Sequence, residues 1–207
     1  MERGRMVVDR RPVAVVLAGG RARRMGGGDK ALVQLGGRPL LRHVLDRVGP
    51  QVRAVAVSAN GDPARFAAFG VPVLADPLPD TPGPLAGILA GMRWAARVHP
   101  EREALLSVPT DTPFLPADLV ARLLAVATPS LPVACALSLG RRHPVVAIWP
   151  VLLADDLAAA LAGGERGVER FAARHGLADA MFPAETADPF LNINDRAALA
   201  AAGRMLA

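Results

Sequence analysis

Val13 to Leu17 is an unbroken run of β-branched and aliphatic residues that stops at Gly19-Gly20, the pattern of a strand buried on both faces. Within Leu40 to Val48 the apolar positions Leu41, Val44, Leu45 and Val48 switch to helical spacing, and Pro39 suits a first turn. Strand pattern returns at Ala54 to Ser58, a short helix is predicted over Pro63 to Phe69, and Val71 to Leu74 reads as a third strand. Leu85 to Val98 is helical by length and period, Ala104 to Val108 is a fourth apolar strand, and Ala117 to Ala127 is the helix behind it. Val133 to Leu137 and Pro144 to Trp149 form a strand pair around a turn at Gly140-Arg141-Arg142, where pairing is expected to become antiparallel. Helices over Val151 to Leu161 and Gly167 to His175, a weak strand at Ala180 to Phe182 and an amphipathic helix over Arg196 to Leu206 complete the chain.

Strands alternating with helices of about ten residues imply a mostly parallel, twisted sheet covered on both faces, a Rossmann-like three-layer α/β/α architecture. Ligands of such sheets lie at the carboxyl ends of the strands, so the loops after Leu17, Ser58, Leu74 and Val108 are where chemistry is expected. With 207 residues and no internal repeat, residues 13–207 are expected to form a single domain, preceded by a disordered tail over 1–12.

Composition narrows the partners. The net charge of +5 comes almost entirely from arginine, Lys30 being the only lysine, which favours anionic ligands. Aromatic residues make up 4% of the chain and no arginine stripe is interleaved with them, so nucleic acid is excluded in favour of a small phosphorylated ligand. The single cysteine, Cys135, and four scattered histidines give neither a disulfide nor a zinc or iron site, consistent with a reducing compartment. The basic segment before Pro12 lacks the apolar core of a secretory signal, and the apolar stretch Val145 to Ala154 is too short and interrupted to span a bilayer. A cytoplasmic protein with no membrane partner is expected.

Three loops carry the candidate chemistry. Leu17-Ala18-Gly19-Gly20 opens a segment that holds five glycines together with Arg21, Arg23, Arg24 and Lys30, close-approaching backbone plus positive charge suited to a triphosphate. It matches neither the P-loop nor the dinucleotide fingerprint. Asp111, just past the fourth strand, suits Mg²⁺, which binds through one or two carboxylates and phosphate oxygens; read by itself it is equally a turn or helix-capping aspartate. The loop from Asp76 through Gly83 to Gly87 is stiffened by Pro77, Pro79, Pro82 and Pro84, and serves equally for recognition of a flat base or as a structural connection. His143-Pro144 reads first as a strand entrance, and Asn192-Ile193-Asn194 as the approach to the last helix with Asn194 as its cap. No Ser/His/Asp or Cys/His nucleophile set is evident.

Taken together, Leu-Ala-Gly-Gly with Arg-Arg-Met-Gly and Asp-Lys at 17–30, Gly-Pro-Leu-Ala-Gly at 83–87, Asp-Thr-Pro-Phe at 111–114, His-Pro at 143–144 and Asn-Ile-Asn at 192–194 resemble the molybdenum cofactor guanylyltransferases over nearly the whole chain. The resemblance implies transfer of GMP from GTP to the terminal phosphate of molybdopterin, with release of pyrophosphate. It implies GTP over Leu17, Ala18, Gly19 and Gly20, and phosphates and catalysis at Arg24 and Lys30. It implies Mg²⁺ at Asp111, further nucleotide contacts at Ser58, Asp76 and Gly83, and a molybdopterin side at His143, Asn192 and Asn194. Molybdenum-insertion proteins and target molybdoenzymes are the further partners such an activity implies. The chain departs from the family at Ser58, where an asparagine is common, with Asn60 two residues on. The rival readings are a cytidylyltransferase acting on the same cofactor, another small-molecule nucleotidyltransferase, and a noncatalytic carrier of molybdopterin or nucleotide. Gly20 favours the guanylyl branch, whose cytidylyl relatives more often read Leu-Ala-Ala-Gly.

Overall fold

The structure, a computed structural model, describes residues 11–19, 28–77, 83–184 and 187–206. Gly20, Arg24 and the expected tail up to residue 10 lie outside them. Pro12 is already tied to the sheet, its carbonyl accepting from the Arg53 amide at 2.8 Å.

The main-sheet strands are β1 (Val13–Leu17), β4 (Val55–Ser58), β5 (Val73–Leu74), β6 (Ala104–Pro109), β7 (Val133–Ser138), β8 (Arg141–Pro150) and β9 (Leu177–Met181). A small hairpin, β2 (Gln34–Leu35) with β3 (Arg38–Pro39), stands apart. The helices are α1 (Leu40–Val48), α2 (Pro84–Val98), α3 (Leu119–Val126), α4 (Ala154–Ala162), α5 (Val168–Arg174) and α6 (Arg196–Met205). Pro63–Phe69, expected as a short helix, is a 3₁₀ segment capped by Asp62, whose side chain accepts from the Ala64 amide.

Strand order is β5-β4-β1-β6-β8-β7-β9. The β1, β4, β5 and β6 pairings are parallel, and β8 is antiparallel to both of its neighbours. The predicted α/β sandwich is therefore present. Alternation along β1 divides the core: Ala14 and Val16 pack in one cluster with Val44 of α1 and Leu119 of α3. Val13 and Val15 face Leu89 and Met92 of α2 and Leu157 of α4. A strand buried on both faces favours apolar residues at every position, and the run Val13 to Leu17 carries no polar one.

Two glycines set how closely α2 lies on the sheet. A Cβ at Gly91 would stand 2.8 Å from Val15 Cβ, and one at Gly87 would stand 2.7 Å from both Leu17 Cδ2 and Ser58 Oγ. The last glycine of Gly-Pro-Leu-Ala-Gly thus permits close packing beneath the strand ends.

The turn of the β7–β8 hairpin is Leu139-Gly140, two residues with φ of 49° and 73°, and Arg141 and Arg142 already lie in β8. The turn sits one residue earlier than the sequence predicts because a two-residue hairpin turn needs positive φ at both positions to match the strand twist. Further along, pairing jumps from Ala136↔His143 to Cys135↔Ala147, so Pro144, Val145 and Val146 bulge out of the ladder. Proline has no amide to offer the ladder. The Val145 carbonyl accepts from Ser107 Oγ at 2.6 Å, and that hydroxyl accepts from Trp149 Nε1 at 2.8 Å.

The β2–β3 hairpin, whose two-residue strands left no readable pattern, turns on Gly36-Gly37 at φ of 57° and 76°. It joins Leu40, Ile193 and Ala202 in a third small cluster, which fastens the C-terminal segment and α6 to the body. The cap of α6 is Asp195, whose side chain accepts from the Ala198 amide, and not Asn194 as the sequence suggests.

Candidate active site

The carboxyl ends of β1, β4, β5 and β6 and the bulge of β8 enclose an open cleft of about 1090 Å³. That is at the upper end of small-ligand sites. Leu17, Ala18, Gly19, Ser58, Asp76, Gly83, Asp111, His143 and Asn192 all line it, so most of the sequence-derived candidates converge. Lys30 stands beside Asp111 instead, and Asn194 beside Lys30.

Asp29 caps the 3₁₀ turn Lys30–Leu32 by accepting from the Ala31 amide at 3.0 Å, which aims Lys30 at the end of β6. Lys30 Nζ donates to Asp111 Oδ2 and to Asn194 Oδ1, both at 2.5 Å. Asp111 is held from the main chain too, its carbonyl accepting from the Ile193 amide at 2.9 Å. Asn-Ile-Asn is therefore a brace: Asn192 reaches the cleft, Ile193 is buried, and Asn194 turns to Lys30.

Asp111 Oδ1 is buried and has no hydrogen-bond partner among the described residues. A buried anionic oxygen without a partner is costly, and a hard cation is the ligand it suits. Among the described residues no group of three His, Cys, Asp or Glu side chains gathers to hold a metal. One carboxylate oxygen opening on a cleft fits a cation that brings further oxygen ligands with it.

On the opposite side, the Asn60 amide grips Asp76 twice. Its Nδ2 donates to Asp76 Oδ2 at 2.7 Å, and its Oδ1 accepts from the Asp76 amide at 2.9 Å. Ser58 Oγ lies 3.5 Å from Asp76 Oδ1, so Asp76 is held chiefly by Asn60. Arg65 continues the chain, donating to the Asn60 carbonyl at 2.6 Å and from Nε to Asp29 Oδ2 at 2.8 Å. Asn60, Arg65 and Asp29 thus tie the first loop to the loops after β4 and β5. Sequence reasoning assigned no role to Arg65, because its partners lie 36 and 5 residues away with no spacing rule to reveal them.

At the far wall, His143 Nε2 lies 2.8 Å from Ser138 Oγ, which donates to Asp188 Oδ1 at 2.7 Å. The Phe190 ring packs against the imidazole at 4.8 Å. Burial pushes the His143 pKa below its ordinary value and Arg141 acts in the same direction, with Asp188 opposing. Cys135, beneath this wall, is pushed up to about 12 by burial and by Asp179, an inert thiol.

Residues 14–180 match the family model of the MobA-like NTP transferase domain. The chain belongs to the MobA-like NTP transferase family. Within that family it is 52% identical, over 194 residues, to a molybdenum cofactor guanylyltransferase of Rhodopseudomonas palustris (strain BisB5), an alignment covering 93% of this chain and 92% of the relative. It is 54% identical over 192 residues to one of Cereibacter sphaeroides, covering 93% and 95%. The crystal structure of molybdopterin-guanine dinucleotide biosynthesis protein A from Archaeoglobus fulgidus shares the fold, with a TM-score of 0.69 at 22% identity, over 94% of this chain and 98% of that one. The fold of this MobA-like transferase is thus the one its sequence pattern implied.

Proposed function

We propose that this chain is a molybdenum cofactor guanylyltransferase, transferring GMP from GTP to the terminal phosphate of molybdopterin. A phosphate oxygen of the acceptor attacks the α-phosphorus of GTP, the bond from that phosphorus to the bridging oxygen of the β-phosphate breaks, and pyrophosphate leaves with the electron pair. Identity of about half over nearly the full length to guanylyltransferases carries this reading, and the convergence of the motif residues on one cleft supports it.

The attacking phosphate is anionic at neutral pH, so the reaction demands no general base. Positioning and charge neutralisation carry it. Leu17, Ala18 and Gly19 form the nucleotide floor, with Ser58, Asp76 and Gly83 beside it; Gly20 and Arg24, which lie outside the described residues, are assigned to the nucleotide and its phosphates on the motif alone. Lys30 neutralises Asp111 before substrate arrives and turns part of its charge to the phosphates afterwards. Asp111 Oδ1 would hold Mg²⁺, which would supply charge neutralisation at the phosphates when bound. His143 and Asn192 face the acceptor. No helix among the described residues is long and apolar enough to cross a membrane.

The deciding experiment supplies the protein with molybdopterin, Mg²⁺ and each of the four nucleoside triphosphates, and measures pyrophosphate and dinucleotide mass. GTP is expected to give the highest kcat/KM. A higher value with CTP would move the chain to the cytidylyl reading, and binding without pyrophosphate release would make it a carrier.

A further inference from the structure

Ser138 is fully buried and carries a single hydroxyl proton. Asp188 Oδ1, 2.7 Å away, is a carboxylate oxygen that only accepts, so it receives the one hydrogen bond that Ser138 can donate. The Asp188 carboxylate is itself fixed, Oδ1 also accepting from the Phe190 amide at 2.9 Å. With its proton committed, Ser138 Oγ has only lone pairs to offer His143 Nε2 at 2.8 Å, and that nitrogen must carry the hydrogen. The direction of the relay therefore fixes the imidazole tautomer. Among the described residues no hydrogen bond engages Nδ1, and His143 lines the cleft.

We propose that Ser138 and Asp188 are positioning residues that hold His143 as the Nε2–H tautomer, so that Nδ1 accepts a hydrogen bond from an N–H group of the pterin ring of the acceptor. This rests on molybdopterin being the acceptor. A lone pair repels phosphate oxygens but suits a reduced pterin, which is rich in N–H donors, so His143 sorts the ring end of the acceptor from its phosphate end. The charged and titratable groups facing the imidazole are Asp188, from the segment after β9, and Arg141, on its own strand. Burial keeps the ring neutral at pH 7, the state the assignment requires. As pH falls and the ring protonates, Nδ1 becomes a donor, and KM for the acceptor rises while KM for GTP holds.

The test begins with the full chain labelled with ¹⁵N-histidine, the His143 signals being identified by their loss in His143→Gln. At pH 7.5 a neutral ring with Nε2–H is expected; an Nδ1–H tautomer or an imidazolium overturns the proposal. Adding tetrahydropterin is expected to move the Nδ1 resonance, and inorganic phosphate to leave it in place; the reverse makes the site a phosphate contact and overturns it. Ser138→Ala is expected to abolish the single tautomer and to raise KM for the acceptor roughly tenfold with KM for GTP unchanged, the scale of one lost hydrogen bond, and Ser138→Thr to restore both. If Ser138→Ala does not fold, the two measurements on the unaltered chain still decide. Wild-type protein that makes the dinucleotide while Ser138→Ala leaves the acceptor KM unchanged overturns the relay alone. Wild-type protein that makes no dinucleotide, yet shows the Nε2–H ring responding to tetrahydropterin, overturns the transferase reading and keeps the pterin contact.

Discussion

Lys30 Nζ lies 2.5 Å from Asp111 Oδ2, joining residues 81 positions apart, while Oδ1 of the same carboxylate is buried and unpartnered among the described residues. One oxygen is neutralised by the protein and the other is left for a cation. Asp111→Asn keeps the shape but removes the charge a hard cation requires. Turnover is expected to fall at least a hundredfold, recovering in part at high Mg²⁺, while Tm moves by only about a few degrees because the loss of the ion pair is offset by relief of the buried anionic oxygen. Wild-type turnover of Asp111→Asn in limiting Mg²⁺ would sink the assignment of Asp111 as ligand.

Removing the other partner has a different signature. Lys30→Ala leaves Asp111 without its counter-ion and releases Asn194, loosening the brace from the last segment. A kcat/KM loss of roughly a hundredfold or more is expected, together with lowered stability, since breaking a largely buried pair leaves a charge uncompensated. Steady-state kinetics beside thermal melts check both, and unchanged kinetics in a folded variant would remove Lys30 from the catalytic machinery.

The nucleotide side offers a separable effect. Asn60→Ala deletes both arms of the grip on Asp76 but leaves Lys30 and Asp111 untouched. KM for GTP is expected to rise about tenfold with kcat nearly unchanged, as loss of uniform binding predicts. A fall in kcat at constant KM would place Asn60 in the chemistry instead.

Helix α2 supplies a stability test away from the substrates. Gly91→Ala adds a methyl 2.8 Å from Val15 Cβ, a contact with stiff β-branched packing that cannot swing aside. Destabilisation of about 1–3 kcal/mol is expected by denaturant unfolding. Gly87→Ala meets Ser58 Oγ and Leu17 Cδ2 as well, so it is expected to raise KM for GTP in addition.

Acid dependence should show at Glu165. Hydrogen bonds from Arg170 and from the Gly167 amide hold its pKa down to about 2, against an ordinary value of 4.5. A folded-state pKa below the unfolded one means that this stabilisation is present above pH 4.5 and is lost as pH falls toward 2. Glu165→Gln is expected to flatten the stability curve across that window and leave the neutral region's slope unchanged; an identical acid limb would show that the cluster contributes nothing.

The strand and helix order was legible in the sequence because burial on a two-sided sheet imposes it locally. Val13 to Leu17 cannot be read otherwise, and the helix over Leu40 to Val48 has the bounds its periodicity gives. That Asp111, Asp76 and Gly83 would gather at the strand ends was legible because each follows a strand closely, and all three line the cleft. Partnerships were not. The links Lys30–Asp111–Asn194, Asp29–Arg65–Asn60–Asp76 and Asp188–Ser138–His143 each join distant segments, and no local rule encodes a contact set by how strands are ordered in a sheet. Asn194 shows the difference most plainly. By sequence it is a good cap for the last helix, but the neighbouring Asp195 caps equally well, and docking of Ile193 in the third cluster leaves the Asn194 side chain to Lys30. Residue types along the chain settle which groups are available; packing settles which of them meet, because only the assembled sheet brings the strand ends within hydrogen-bonding distance.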